Sequence, residues 1–220
     1  MRRSLTMGVG LVVLSLVGGG CSSPPPPPPP PQPAPEPPPP KCNTLKDACT
    51  AAADTRLLVP DGVEYGFVPP KGWVYAKLPD SAVAQVDGNG AVMVASSFKR
   101  PTHARTARRV KEVKSATELV GVVPNNVEGA LTLKNPRPDE YNGLPVSLWE
   151  VPSAKRGDNE GALVVLSADV GDRELLIVGF APADDSDGTK AIMKALTTLS
   201  PKANGGNTKS VADDSEGPST

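Results

Sequence analysis

The residues best suited to chemistry are the cations of the segment 99–114. Seven of its side chains are lysine or arginine and one is acidic, although the whole chain has a formal net charge of −1. A local excess of positive charge attracts anions. The segment therefore predicts a surface for an anionic partner: lipid or lipopolysaccharide phosphates, an anionic cell-wall polymer, or an acidic protein face. The candidate binding residues are Lys99, Arg100, His103, Arg105, Arg108 and Arg109. The alternative is a solvated loop that keeps the domain soluble.

Catalytic chemistry has few candidates in this sequence. His103 is the only histidine, which argues against multi-histidine metal sites and a zinc enzyme. A serine hydrolase would have to use His103 as its base, and no Gly-x-Ser-x-Gly motif accompanies it. The acids of Asp185-Ser-Asp187 lack the flanking ligands of a calcium loop and are better explained as a helix cap. We therefore predict no catalytic residue, no cofactor and no bound metal.

The N-terminus has the order of an export signal. Arg2 and Arg3 precede a short apolar run, and three glycines lead directly to Cys21. A transmembrane helix is the rival interpretation, but the run is much shorter than the roughly 20 residues that a span needs. A cysteine at the first position after the cut is the lipid acceptor of bacterial lipoproteins, although Gly18 stands where such signals usually carry leucine. We predict a signal peptide over residues 1–20 and lipidation of Cys21; cleavage elsewhere would leave Cys21 a free thiol.

Residues 21–41 form the predicted connection between the lipid and the domain. Residues 24–40 are almost all proline, which cannot join a helix interior or a sheet. We expect a disordered linker that extends as a polyproline II rod of about 50 Å and lifts the domain from the membrane. A docking site for a proline-recognising partner is the alternative. The expected location is the bacterial cell envelope, anchored in the outer membrane and facing the periplasm or the cell surface.

Charge and the remaining cysteines agree with export. Loss of two arginines with the signal leaves 21 basic and 24 acidic side chains, which argues against a nucleic-acid partner. Cys42 and Cys49 are an even pair in an oxidising compartment, so a structural disulfide is predicted. One straight helix would hold their Cα atoms about 10 Å apart, beyond bridging distance. A turn or a broken helix must therefore lie between the two cysteines, in a Cys-pair segment with the bounds 42–59.

Residues 60–201 have the pattern of one α+β domain with an antiparallel sheet and flanking helices. Turn residues 87–90 predict a hairpin between 82–86 and 91–95. Two apolar runs, 161–169 and 173–180, predict central antiparallel strands. Further strands are expected at Leu131–Leu133 and at 144–151. A capping box at Ser115 predicts a short helix, an amphipathic helix follows Asp184 and ends before Pro201, and residues 202–220 are expected to be a disordered tail.

This order of elements resembles the PsbP/Mog1-like superfamily, including its bacterial lipoprotein and DcrB-like members. The matching segments are Phe67-Val-Pro-Pro-Lys-Gly-Trp73, the helix start at Ser115, Asn142-Gly-Leu-Pro145, and the hairpin with closing helix from Gly161 to Leu199. The resemblance implies a non-enzymatic binding or assembly domain with no shared catalytic residues. A lipid-anchored envelope protein that presents such a domain is therefore the predicted function. The alternatives are a periplasmic hydrolase using His103 and an immunity- or inhibitor-type lipoprotein.

Overall fold

An antiparallel sheet forms the centre of the domain in the computed structural model, which describes residues 41–124 and 133–202. The elements are β1 Leu57–Leu58, β2 Tyr65–Phe67, β3 Val74–Lys77, β4 Ser81–Gln85, β5 Val92–Lys99, α1 Arg105–Leu119, β6 Val122–Pro124, β7 Arg137–Tyr141, β8 Leu144–Arg156, β9 Asn159–Val170, β10 Arg173–Pro182, α2 Ser186–Thr197 and β11 Ser200–Pro201. The strands of the central sheet are neighbours in the order β3-β4-β5-β10-β9-β8-β6, and β7 pairs with the first half of β8.

Both faces of the central sheet are covered, which explains why β10 is apolar along most of its length. One face packs against α2 and a small sheet of β1, β2 and β11. The other face packs against Val113 and Ala116 of α1. Because successive strand residues point to opposite faces, Leu175 and Ile177 contact the first layer, and Leu176 and Val178 the second.

The predicted α+β class and both predicted hairpins are present. Gln85 pairs with Val92 across the first hairpin, and Val170 pairs with Arg173 across the second. The strand predicted at 144–151 runs five residues further, as part of β8. Leu133 is buried ahead of β7, and the rest of the strand expected at Leu131–Leu133 lies outside the described residues.

The helix predicted at Ser115 begins ten residues earlier, at Arg105. Ser115 is exposed in the helix interior, so the predicted capping box is wrong. The segment is rich in arginine, lysine, glutamate and alanine, which are good helix formers. Only a few residues of α1 contact the sheet, so its apolar face is small. Apolar residues therefore recur too weakly at helical spacing for the sequence to predict the start of this helix.

The closing helix agrees with its prediction. Asp185 caps α2: its Oδ1 accepts a 2.7 Å hydrogen bond from the backbone N–H of Gly188. Such a cap satisfies one of the amide groups that a helix start leaves without a partner. The helix ends at Thr197, before Pro201 as expected. Neither described helix is long and apolar enough to cross a membrane.

Cys42 and Cys49 form the predicted disulfide, with their Cα atoms 5.6 Å apart. A single turn of 3₁₀ helix, Leu45–Asp47, supplies the bend that the spacing requires. The segment also extends the sheet, because the backbone N–H of Lys77 donates to the carbonyl of Cys42 and that of Tyr75 donates to Cys49. The signal peptide, Cys21, the proline linker and all but the first residue of the tail lie outside the described residues.

Candidate functional site

A buried carboxylate lies at the centre of the candidate site. Glu174, on β10, has no exposed surface. One of its oxygens accepts a 2.7 Å hydrogen bond from the hydroxyl of Ser167 on β9 and a second from Nε of Arg109. The other oxygen accepts a 2.9 Å bond from Nε of Arg105. A buried charge is tolerated only when it is paired and hydrogen-bonded, and this carboxylate has both forms of compensation.

Asp169 continues the cluster toward solvent. It pairs with Glu174 across the β9–β10 ladder. Its carboxylate accepts from the guanidinium of Arg105 and lies 2.9 Å from Nη1 of Arg100. Arg100 also donates to the carbonyl of Gly171 in the β9–β10 turn, at 2.9 Å. Three arginines therefore surround two carboxylates, and the cluster keeps one unit of positive charge.

The two acids also act on Arg105 itself. Burial alone would lower the pKa of the Arg105 guanidinium, but the hydrogen bonds and charges of Glu174 and Asp169 outweigh burial and raise that pKa above its ordinary value. Arg105 is thus held in its charged form at the solvent-exposed end of the cluster.

Arg109 is the most enclosed of these cations. Its side chain is 11% exposed, and its Cζ lies 4.7 Å from the centroid of the Trp149 ring on β8. A guanidinium over a tryptophan face is attracted by the negative face of the ring. Trp149 Nε1 is buried and has no hydrogen-bond partner within residues 41–124 and 133–202. The ring of Trp149 and the carboxylate of Glu174 together fix the orientation of the Arg109 guanidinium.

A cleft of about 700 Å³ opens beside this cluster, and we call it the arginine cleft. Residues of α1, β7, β9 and the start of β8 line it. Its lining residues are Arg105, Arg109, Pro138, Asp139, Pro145, Val146, Ser147, Ser167 and Asp169.

The predicted binding residues occupy two kinds of environment. Arg100, Arg105 and Arg109 converge on the two carboxylates, so much of their charge is compensated within the domain. Arg108 pairs with Glu112 at 2.7 Å and lies over Phe98. Lys99 and His103 are exposed, and their side chains form no hydrogen bond or ion pair with any described residue.

The geometry gives His103 no catalytic partner among the described residues. It lies in the bend before α1 and is not part of the cleft lining. No group of three or more potential metal-ligating side chains occurs in the described ranges. What the arrangement offers is oriented guanidinium and hydroxyl groups in a concave surface, which suits recognition of a ligand.

Sequence reasoning missed Glu174, Ser167 and Asp169. One signal was present: Glu174 is the second residue of β10, and it directly precedes the long apolar run of that strand. An acid at such a position requires a cation from elsewhere in the fold. The partners lie 65 and 69 residues away along the chain, so pattern alone did not connect them.

Comparisons with known proteins identify similar folds only. No protein-family model and no curated protein sequence matches this chain. A solved structure from Bacteroides thetaiotaomicron has 12% sequence identity and a TM-score of 0.45; the match covers 70% of this chain and 51% of that one. This chain thus spans about half the length of the Bacteroides protein.

Two further structures are similar. The cyanobacterial PsbP protein CyanoP of Synechocystis has 14% identity and a TM-score of 0.42, over 67% of this chain and 91% of its own. A Pseudomonas aeruginosa protein of unknown function has 16% identity and a TM-score of 0.34, over 60% and 99%. At this level of similarity the matches carry no inference about function.

Proposed function

We propose that this chain is a lipid-anchored protein of the bacterial cell envelope whose α+β domain binds a partner through the arginine cleft and catalyses no reaction. The order of the apolar N-terminus, Cys21 and the proline segment supports the anchor and the spacer. The spacer would hold the domain about 50 Å from the lipid, where the cleft can reach a partner away from the membrane.

The observation that carries the binding role is the buried Glu174 beneath Arg105 and Arg109. Replacing a buried ion cluster by apolar side chains of similar volume is often neutral or stabilising, so stability alone is a weak reason to keep it. The same cluster orients two guanidinium groups along one side of a cleft. We take that orientation as the role of the cluster.

A site-specific crosslink in cells tests the cleft. A photo-crosslinking amino acid would replace Ser147, which lines the cleft, and in a second strain Ser153, an exposed residue of the same strand outside the lining. We expect a discrete crosslinked product from position 147 that is absent from position 153. Identical patterns from both positions, or no product from position 147, would contradict binding through the cleft.

The anchor is tested separately, by metabolic labelling with a palmitate analogue. We expect the wild-type chain to be labelled and fractionated with membranes. The Cys21→Ser variant should lose the label, whereas a Ser22→Ala variant, altered at the neighbouring position, should retain it. A labelled Cys21→Ser protein would show that the acceptor lies elsewhere.

A further inference from the structure

We infer that the arginine cleft recognises a carboxylate group on a small, peptide-like ligand or segment. This inference rests on the proposed function, since it names the chemical group that the cleft receives. It depends on three properties of the cleft: its hydrogen-bond donors, its charge and its size.

The first property is a set of oriented donors. Glu174 engages Nε of Arg109, and the terminal nitrogens of Arg109 have no partner within the described ranges. Arg105 uses Nε and one terminal nitrogen for Glu174 and Asp169. Both arginines line the cleft, and the planar fork of an arginine matches the two oxygens of a carboxylate.

Pre-organisation strengthens this match. The side chain of Arg109 is held between the carboxylate of Glu174 and the ring of Trp149. A guanidinium already fixed in one plane loses less conformational entropy when it binds a ligand. The same two contacts explain why only 11% of the Arg109 side chain is exposed although this residue lines an open cleft.

The second property is the charge of the site. Arg100, Arg105 and Arg109 carry three positive charges against the two negative charges of Asp169 and Glu174. One additional negative charge neutralises the cluster. A phosphate group, with a charge near −2 at neutral pH, would leave an excess of negative charge next to the partly exposed carboxylate of Asp169. The balance thus favours a carboxylate over a phosphate.

The third property is the size and the apolar lining of the cleft. A volume of about 700 Å³ lies within the range of small-ligand sites. Pro138 and Pro145 add apolar surface to the lining beside the arginines. A short peptide end, with a carboxylate at one position and small alkyl groups beside it, matches both the polar and the apolar parts of the lining.

Titration of the purified full chain in detergent tests this inference. The probes are N-acetyl-alanyl-alanine, its C-terminal amide and inorganic phosphate, and the readout is the NMR shift of the arginine Nε–H signals. We expect saturable shifts of Arg105 and Arg109 with the free acid, and at least tenfold weaker binding of the amide and of phosphate. Equal binding of acid and amide, tighter binding of phosphate, or no saturable shift with any probe would overturn the inference.

Matched variants locate the binding in the cleft. Ser147→Trp should fill the cleft and abolish the shifts, and Ser153→Trp on the same strand should leave them unchanged. If Ser147→Trp does not fold, Ser147→Asp places a repelling charge in the cleft, and Ser153→Asp is its control. Shifts that survive both Ser147 variants would place carboxylate binding elsewhere and overturn the inference.

A crosslink from position 147 without carboxylate binding would refute this ligand class and leave the proposed function intact. Carboxylate binding without a crosslink would support the ligand class and contradict the proposed binding of a partner in cells.

Discussion

The guanidinium of Arg109 lies over the indole ring of Trp149, while its Nε donates to the fully buried carboxylate of Glu174. One arginine of α1 thereby connects two strands of the sheet that it covers. The adjacent residue, Arg108, differs sharply: its side chain is 44% exposed and pairs with Glu112 on the same helix. These two neighbours allow a controlled test of the cluster.

Arg109→Met should lower the free energy of unfolding by about 3–5 kcal/mol, because it removes one partner of a buried ion pair and leaves Glu174 undercompensated. Arg108→Met should cost only about 1 kcal/mol, since it breaks a partly exposed ion pair with Glu112 and a contact over the ring of Phe98. Urea denaturation of both variants and the wild type measures the difference. Equal losses at the two positions would contradict the role assigned to Glu174.

The disulfide should stabilise the N-terminal edge of the sheet. Closing a loop of eight residues is expected to contribute about 2–3 kcal/mol through the entropy of the unfolded chain. The variant carrying both Cys42→Ala and Cys49→Ala should lose that amount in urea denaturation. Alkylation of the folded wild type without a reductant should modify neither cysteine. Alkylation of both would exclude the bond, as would a double variant as stable as the wild type.

The parts of the fold that the sequence predicted correctly have strong local signals. The turn residues Asp87-Gly-Asn-Gly90 accept the backbone angles of a tight hairpin, and the acids before α2 mark a helix start wherever they occur. The disulfide followed from an even pair of cysteines in a chain that its N-terminal pattern predicts to be exported. In each case the residues that determine the feature lie within about ten positions of one another, so a short sequence pattern is enough to predict it.

The cluster at Glu174 depends on tertiary contacts instead. The sequence identified the cations at Arg100, Arg105 and Arg109 but not their compensation, because Asp169 and Glu174 lie 60 or more residues away. The start of α1 was misplaced for a related reason. Its contact with the sheet is partly ionic, through Arg105 and Arg109, and an ionic contact leaves no apolar period in the sequence.

The acid side of the stability curve should depend on Asp47. The backbone N–H and the hydroxyl of Thr44, together with the N–H of Asn43, hold the pKa of Asp47 below its ordinary value of 3.8. A carboxyl with a depressed folded pKa stabilises the fold above the unfolded pKa, and this contribution disappears as the pH falls below about 4 through the folded pKa.

Asp47→Asn should therefore lower the Tm at pH 6 and change it little at pH 3. The exposed Asp54, which makes no hydrogen bond or ion pair with any described residue, supplies the control variant Asp54→Asn. An NMR titration of the Asp47 carboxyl carbon should give a midpoint below 3.8. A midpoint at or above that value would contradict the proposed hydrogen bonding.

Gly179 sets the distance between α2 and the sheet on the face opposite the arginine cleft. A Cβ at this position would come within 2.7 Å of Cγ2 of Ile192, so Gly179→Ala should overpack the contact and cost about 1–3 kcal/mol. Ile192→Ala should leave a cavity and cost about 2–5 kcal/mol.

In the double variant the new methyl occupies space that Ile192 vacates, so the combined cost should fall below the sum of the two. Urea denaturation of the four proteins measures this coupling, and strictly additive costs would show that the two residues do not limit each other. Because α2 and α1 cover opposite faces, the crosslink from position 147 should be unaffected in the double variant.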